Sequence, residues 1–252
     1  MDRPEAHHIN PSQSHNKPDK RVHIIQHESH EPSGHIADWL SDRSLEPAII
    51  NAREGMAQID PDSIAILIIL GGATNVHDQP QPEWLVEEKS FLAQMIKKPC
   101  PILGICLGSQ LLADALGAQV RANELSEVGW HEVDFDLAAM EKAGLPGLAR
   151  PDAFIEWHGQ TFEIPDNAIR WASSQYCPNQ AFVANGRHIG LQFHPEWTRT
   201  IVHRVAESEP TVPNGRNIQA IEQILNQDFD LTRPFLWGLL DHLWAIYTGQ
   251  SE

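Results

Sequence analysis

One cysteine lies between two glycines, in Gly104-Ile-Cys106-Leu-Gly108-Ser-Gln110. The stretch before it, Ile102-Leu-Gly-Ile105, reads as a strand, and Leu107–Leu116, closed by Gly117, as a helix. Gly-x-Cys-x-Gly at a strand-to-helix junction is the cysteine counterpart of a nucleophile elbow, whose glycines leave space for a sharp turn. The turn lifts the thiol to the carboxyl edge of the sheet, where open α/β sheets bind ligands. The helix N-terminus favours thiolate, so the thiol of Cys106 is expected to titrate below ~8.5. The N–H of Leu107 would face the oxyanion of an attacked carbonyl. Taken alone, the cysteine also fits a buried core position.

A second group, Gln192-Phe-His194-Pro-Glu196-Trp197, follows 88 residues after Cys106 and ends another apolar strand. A residue before proline is held extended, and in extended chain positions i and i+2 point the same way. His194 and Glu196 are therefore expected side by side, a base and its orienter for a thiol nucleophile. A third group, Gly71-Gly72-Ala-Thr74-Asn75, ends the apolar run Ile64–Leu70. Its strand should neighbour the nucleophile strand, and its backbone N–H groups could complete an oxyanion hole.

These groups need a scaffold. Val22–Gln26, Pro47–Asn51, Ile64–Leu70 and Ile102–Ile105 read as strands. His35–Ser41 reads as a helix, as does a segment in which Trp84, Leu85, Phe91, Leu92, Met95 and Ile96 recur at helical spacing before Pro99 and Pro101 end it. Strands alternating with helices give an α/β fold on an open, mostly parallel sheet flanked by helices. Phe154–Trp157, Ile169–Ser173, Ala181–Ala184 and His188–Phe193 suggest a small antiparallel addition, with Asn185-Gly186 as a hairpin turn. The tail from Thr198 reads as helical. Its stripe of Leu236, Leu239, Leu240, Leu243, Trp244 and Tyr247 is expected to pack on the domain. The expected division is a disordered arm over 1–20, a catalytic domain over 21–200 and a helical extension over 201–252.

The chain of 252 residues carries 18 basic and 34 acidic side chains, a net charge of −16. That balance argues against nucleic acid and against an anionic membrane surface. No apolar run approaches the ~18–20 residues of a membrane span, and three cysteines (Cys100, Cys106, Cys177) do not make a disulfide framework. The expected location is the reducing cytoplasm. Seven of the 14 histidines fall within the first 35 residues, but no cysteine or carboxylate cluster completes a coordination sphere there, so no metal is expected.

Together the three groups resemble class I, triad-type glutamine amidotransferases, and more narrowly stand-alone GMP-synthase-like amidotransferase domains. The likeness runs over about residues 22–200. Further landmarks are Gln26-His27, Ile36-Ala-Asp-Trp39, Glu127-Val-Gly-Trp130, Trp157-His-Gly159 and Cys177-Pro-Asn-Gln-Ala-Phe182. The resemblance implies a flavodoxin-like sheet and hydrolysis of the glutamine side-chain amide through a γ-glutamyl thioester, without a cofactor. It makes Cys106 the nucleophile, His194 the general base and acid, Glu196 its orienter, and Gly72 and Leu107 the oxyanion donors. Gln110 is expected to hold the substrate, with Gly71, His158, Asn179 and Gln180 lining the pocket. The chain departs from the family pattern at Ala73, where proline is common, and at Trp197, where smaller residues are common. It has no ATP-binding phosphate loop. The implied roles are therefore ammonia delivery to a separate synthase, with a homo-oligomer left open, or outright hydrolysis by a γ-glutamyl peptidase. A third reading keeps the fold as a non-catalytic binding module.

Overall fold

The computed structural model describes residues 20–208 and 217–250. Apart from Lys20, the arm read over 1–20 lies outside the described residues. The first half of the chain alternates β1 (Arg21–Gln26), α1 (His35–Asp42), β2 (Ala48–Asn51), β3 (Ile64–Ile69), α2 (Glu83–Met95), β4 (Ile102–Ile105) and α3 (Leu107–Ala115). Then come β5 (Val120–Glu132), β6 (Asp134–Phe135), α4 (Leu137–Lys142), β7 (Ala153–Phe162), β8 (Ile169–Ser173), β9 (Ala181–Ala184) and β10 (His188–Leu191). Three helices, α5 (Arg199–Ser208), α6 (Ile221–Leu225) and α7 (Arg233–Thr248), complete the described chain.

Eight strands form one sheet in the order β2-β1-β3-β4-β10-β9-β8-β6. The first five are mutually parallel, and β9, β8 and β6 continue antiparallel. β5 and β7 pair as a separate antiparallel ribbon. The centre of the sheet is apolar on both sides because every residue of β3 and β4 is buried, as a doubly covered parallel sheet requires. Alternate residues serve opposite faces. Ile24, Ile66, Ile68, Leu103 and Ile105 pack with α1, α4 and α7, while Ile25, Leu67, Ile69 and Ile102 pack with α2 and α3.

The apolar stripe of α7 belongs to the main core: Leu236, Leu239, Leu240 and Leu243 are fully buried there. At roughly 1.5–3 kcal/mol per buried leucine, they outweigh the half-exposed Arg43–Asp241 ion pair between α1 and α7, worth ~0–1 kcal/mol.

The boundaries differ from the sequence reading in three places. β7 runs to Phe162, well past Trp157, because it pairs along β5. The 13-residue β5 has no clean alternation, and its register shifts between Ala122 and Glu127. β10 stops at Leu191, after which Gln192 and His194 leave the sheet to bond the carbonyls of Gln180 and Ile155.

Candidate functional site

β4, the strand before Cys106, has β3 on one side and β10 on the other. The three groups picked from sequence therefore end adjacent strands: Gly71-Gly72 after β3, Cys106 after β4 and His194 after β10. Cys106 is the N-cap of α3, with φ 50° and ψ −110°, a backbone region L-residues rarely occupy. Its N–H bonds Leu191 O at 2.8 Å, and its carbonyl takes the N–H groups of Ser109 and Gln110. The flanking glycines are sterically required. A methyl on Gly104 would overlap the carbonyl of Gly108, and one on Gly108 would overlap the carbonyl of Ile69.

His194 Nδ1 donates to Glu196 Oε1 at 2.8 Å, both side chains being buried. That bond fixes the tautomer, so in the neutral ring Nε2 carries the lone pair. The His-Pro-Glu turn is held at every residue. His194 N–H bonds Ile155 O, Thr232 Oγ1 donates to Pro195 O at 2.9 Å, and His35 N–H donates to Glu196 O at 2.9 Å. Trp197 stacks on the His194 ring, centroids 3.9 Å apart.

Cys106 and His194 line one cavity of about 280 Å³ together with Glu31, Gly72, Gln110, His158 and Trp197. That is at the small end for ligand sites and suits a small metabolite. Gly71 is the meeting point of the reactive groups: a methyl there would sit 2.8 Å from His194 Cε1, 3.2 Å from Glu31 Oε2 and 3.5 Å from Cys106 Cβ. Gln110 donates to Gln192 Oε1 at 3.1 Å, and Gln192 reaches Cys106 Sγ at 3.6 Å. Of the residues expected to line the pocket, Gln110 and His158 do so, while Gly71, Asn179 and Gln180 are not among the lining residues. Asn179 bonds Phe162 O at 2.8 Å and Gln180 bonds Glu127 at 3.1 Å, so their side chains brace the ribbon.

The expected low thiol pKa is reversed. Burial pushes the Cys106 thiol well above its ordinary value, with the carboxylates of Glu31, Glu196 and Glu156 acting the same way, while the Leu107 N–H alone works downward. A helix N-terminus outweighs desolvation only where water or cations reach the sulfur. The resting group is a neutral thiol, whose proton must leave during attack. Glu31, paired with His30 at 3.7 Å, is the strongest of these charges and was not read from sequence. Glu31→Gln removes it and lowers the thiol pKa, so thiolate rises about tenfold per pKa unit at pH 7–8. Alkylation of Cys106 by iodoacetamide is expected to speed up several-fold; an unchanged rate–pH curve contradicts this account.

Behind the ribbon lies a buried charged network. His158 Nδ1 donates to Gln160 O at 2.9 Å, and Nε2 faces Glu127 and Glu156 at 3.1 and 3.2 Å. Burial opposes its charge, but the two carboxylates raise the His158 pKa to about 9. Burial raises that of Glu156 to about 7. Glu127, His158 and Cys177 place ligand atoms within 4.8 Å of one another. With both imidazole nitrogens donating, however, His158 offers a metal no lone pair. The network instead holds β7 where the Trp157 carbonyl faces Cys106 Sγ at 4.0 Å.

An elbow cysteine, a carboxylate-oriented histidine and a glycine loop at the edge of a parallel sheet define a class of protein. The family model for class I glutamine amidotransferases matches residues 33–206, and the chain belongs to that family. It is 26% identical over 238 residues to the glutamine amidotransferase-like protein YfeJ of Salmonella typhimurium, covering 90% of this chain and 99% of the relative. It is 32% identical over 158 residues to the glutamine-hydrolysing GMP synthase of Bacillus subtilis, covering 60% of this chain but only 27% of that enzyme. A glutamine amidotransferase structure from Thermotoga maritima superposes with a TM-score of 0.78 at 27% identity, covering 90% of this chain and 98% of that one. No helix among the described residues is long and apolar enough to cross a membrane.

Proposed function

We propose that this chain hydrolyses the side-chain amide of glutamine, with Cys106 as nucleophile, His194 as general base and acid, and Glu196 as its orienter. The carrying observation is the 2.8 Å His194–Glu196 bond beside a cavity shared with Cys106. As sulfur bonds to the γ-carbon, the thiol proton moves to His194 Nε2. The oxygen of the tetrahedral adduct is met by the N–H groups of Gly72 and Leu107. His194 then protonates the leaving nitrogen, the C–N bond breaks and ammonia departs. Water, deprotonated by the same imidazole, cleaves the thioester and restores the thiol. Gln110 is placed to hold the donor. The Bacillus subtilis relative is a glutamine-hydrolysing GMP synthase, which supports a role in supplying ammonia to a synthase.

A substrate panel tests this reading. Glutamine and γ-glutamyl peptides are offered to the protein, and glutamate release is followed. Preference for glutamine supports the amidotransferase reading. Faster turnover of peptides assigns the same triad to a γ-glutamyl hydrolase instead. No turnover together with no labelling of Cys106 by an electrophilic glutamine analogue leaves a binding module.

A further inference from the structure

His27 directly follows β1 beside the Gly71-Gly72 loop, its side chain almost fully buried against the fully buried Glu88 of α2. Its Nδ1 lies 3.0 Å from Gly71 O, and its Nε2 lies 3.0 and 3.1 Å from the two carboxylate oxygens of Glu88. A carbonyl and a carboxylate only accept, so both ring nitrogens donate and the ring is an imidazolium. Burial opposes that charge. Glu88, the Gly71 carbonyl and Glu31 more than reverse it, leaving the pKa above the ordinary histidine value. Among other groups near His27, Trp84 lies 5.7 Å away, and Arg53 is bonded to the backbone carbonyl of His27 at 3.2 Å.

The Gly71–Gly72 peptide is trans, since the cis bond among the described residues is Gln79–Pro80. In a planar trans peptide the C=O of one residue and the N–H of the next point in opposite directions. A donor that pins Gly71 O therefore turns the Gly72 N–H to the other side. Gly72 lines the cavity over Cys106. A methyl on Gly72 would come within 2.8 Å of His27 Cβ and 3.2 Å of Leu107 Cδ2, so the loop packs between the side chains of His27 and Leu107.

We infer that His27, charged and held by Glu88, is a positioning residue that aims the Gly72 N–H at the oxyanion formed above Cys106. The inference rests on the hydrolytic reading above, but its test does not require glutamine as the donor. Acylation of Cys106 by p-nitrophenyl acetate passes through an oxyanion, whereas alkylation by iodoacetamide is a direct displacement and forms none. The Cys106→Ala background is subtracted from both rates. Oxyanion donors are worth about 10²–10³-fold. His27→Leu and His27→Gln, which place no donor at Nδ1, are expected to slow acylation about 10–100-fold and leave alkylation within about twofold. His27→Asn puts an amide nitrogen where Nδ1 was and is expected to keep most of the acylation rate. Should His27→Leu not fold, Glu88→Gln carries the same comparison, with a several-fold loss confined to acylation. The inference is overturned if both reactions fall in parallel, if acylation is unchanged, or if His27→Asn is as slow as His27→Leu. Failure of the functional reading shows separately, as a wild type that acylates normally yet turns over no γ-glutamyl donor.

Discussion

Cys106→Ala is expected to lose about 10⁶-fold in glutamate release, leaving only the residual contribution of binding and the oxyanion hole. Removing the nucleophile or the base of a triad costs about this much, because the groups act as one unit. The same logic fixes the double variant: Cys106→Ala with His194→Ala should be no slower than either alone. Glu196→Gln should cost less, about 10⁴-fold, because the imidazole remains while losing the 2.8 Å partner that sets its tautomer. An enzyme-coupled glutamate assay with protein in large excess reads all four. The neutral resting thiol sharpens the expectation. A thiol pushed upward by burial depends on proton transfer to His194 for attack, so a His194 variant is expected to fall as far as Cys106→Ala at neutral pH. Residual turnover in Cys106→Ala above 1% of wild type contradicts the mechanism. Multiplicative losses in the double variant would mean that the two residues act in separate steps.

What the sequence made legible was whatever has a local geometric cause. The elbow could be read because glycine at 104 is required by the Gly108 carbonyl four residues on, within one strand–helix junction, although Gly108 itself is required by the carbonyl of Ile69 on the neighbouring strand. His194 and Glu196 could be read because extended backbone puts i and i+2 on one side, and the bond between them follows. That the Ile64–Leu70 strand neighbours the nucleophile strand was expected from the alternation of β and α segments, whereas β10, read as part of an antiparallel addition, pairs parallel with β4 in the main sheet. What stayed hidden depends on pairs far apart in the chain. Glu88 reaches His27 across 61 positions, and Glu31 meets the thiol only after β1 and β4 are brought into one sheet. The thiol pKa was misjudged for the same reason: the helix terminus is a local feature, while burial and three distant carboxylates are not. β5 was missed because its bulged, polar middle lacks period two and takes its shape from β7.

Gly34→Ala is the second large effect, and it acts without touching the cavity. Gly34 precedes α1 with φ +48° and ψ −128°, a conformation that costs an L-residue about 1–3 kcal/mol. Its missing side chain also faces the triad: a methyl there would overlap the carbonyl oxygen of Glu196 and come within 2.9 Å of Ile201 Cδ1. Backbone cannot yield as a side-chain tip can, so the start of α1 or the His-Pro-Glu turn must move. Either shift breaks the 2.9 Å bond from His35 N–H to Glu196 O and turns the carboxylate away from His194 Nδ1. The expected result is a loss of about 10–100-fold in kcat with little change in KM, since a misplacement near 1 Å costs about that much. A drop in Tm of about 5–10 °C should accompany it. Gly117→Ala supplies the comparison: its φ is +88° and nothing lies within 4 Å of the added methyl. That variant should lose stability through backbone strain alone and keep its kcat. Equal kcat losses in the two variants would show that general destabilisation, rather than displacement of Glu196, slows the reaction. Thr232→Val then separates the two holds on the turn, because it removes only the 2.9 Å bond to Pro195 O. Its smaller, additive effect on kcat would show that α1 and the segment before α7 fix the same carboxylate from opposite sides.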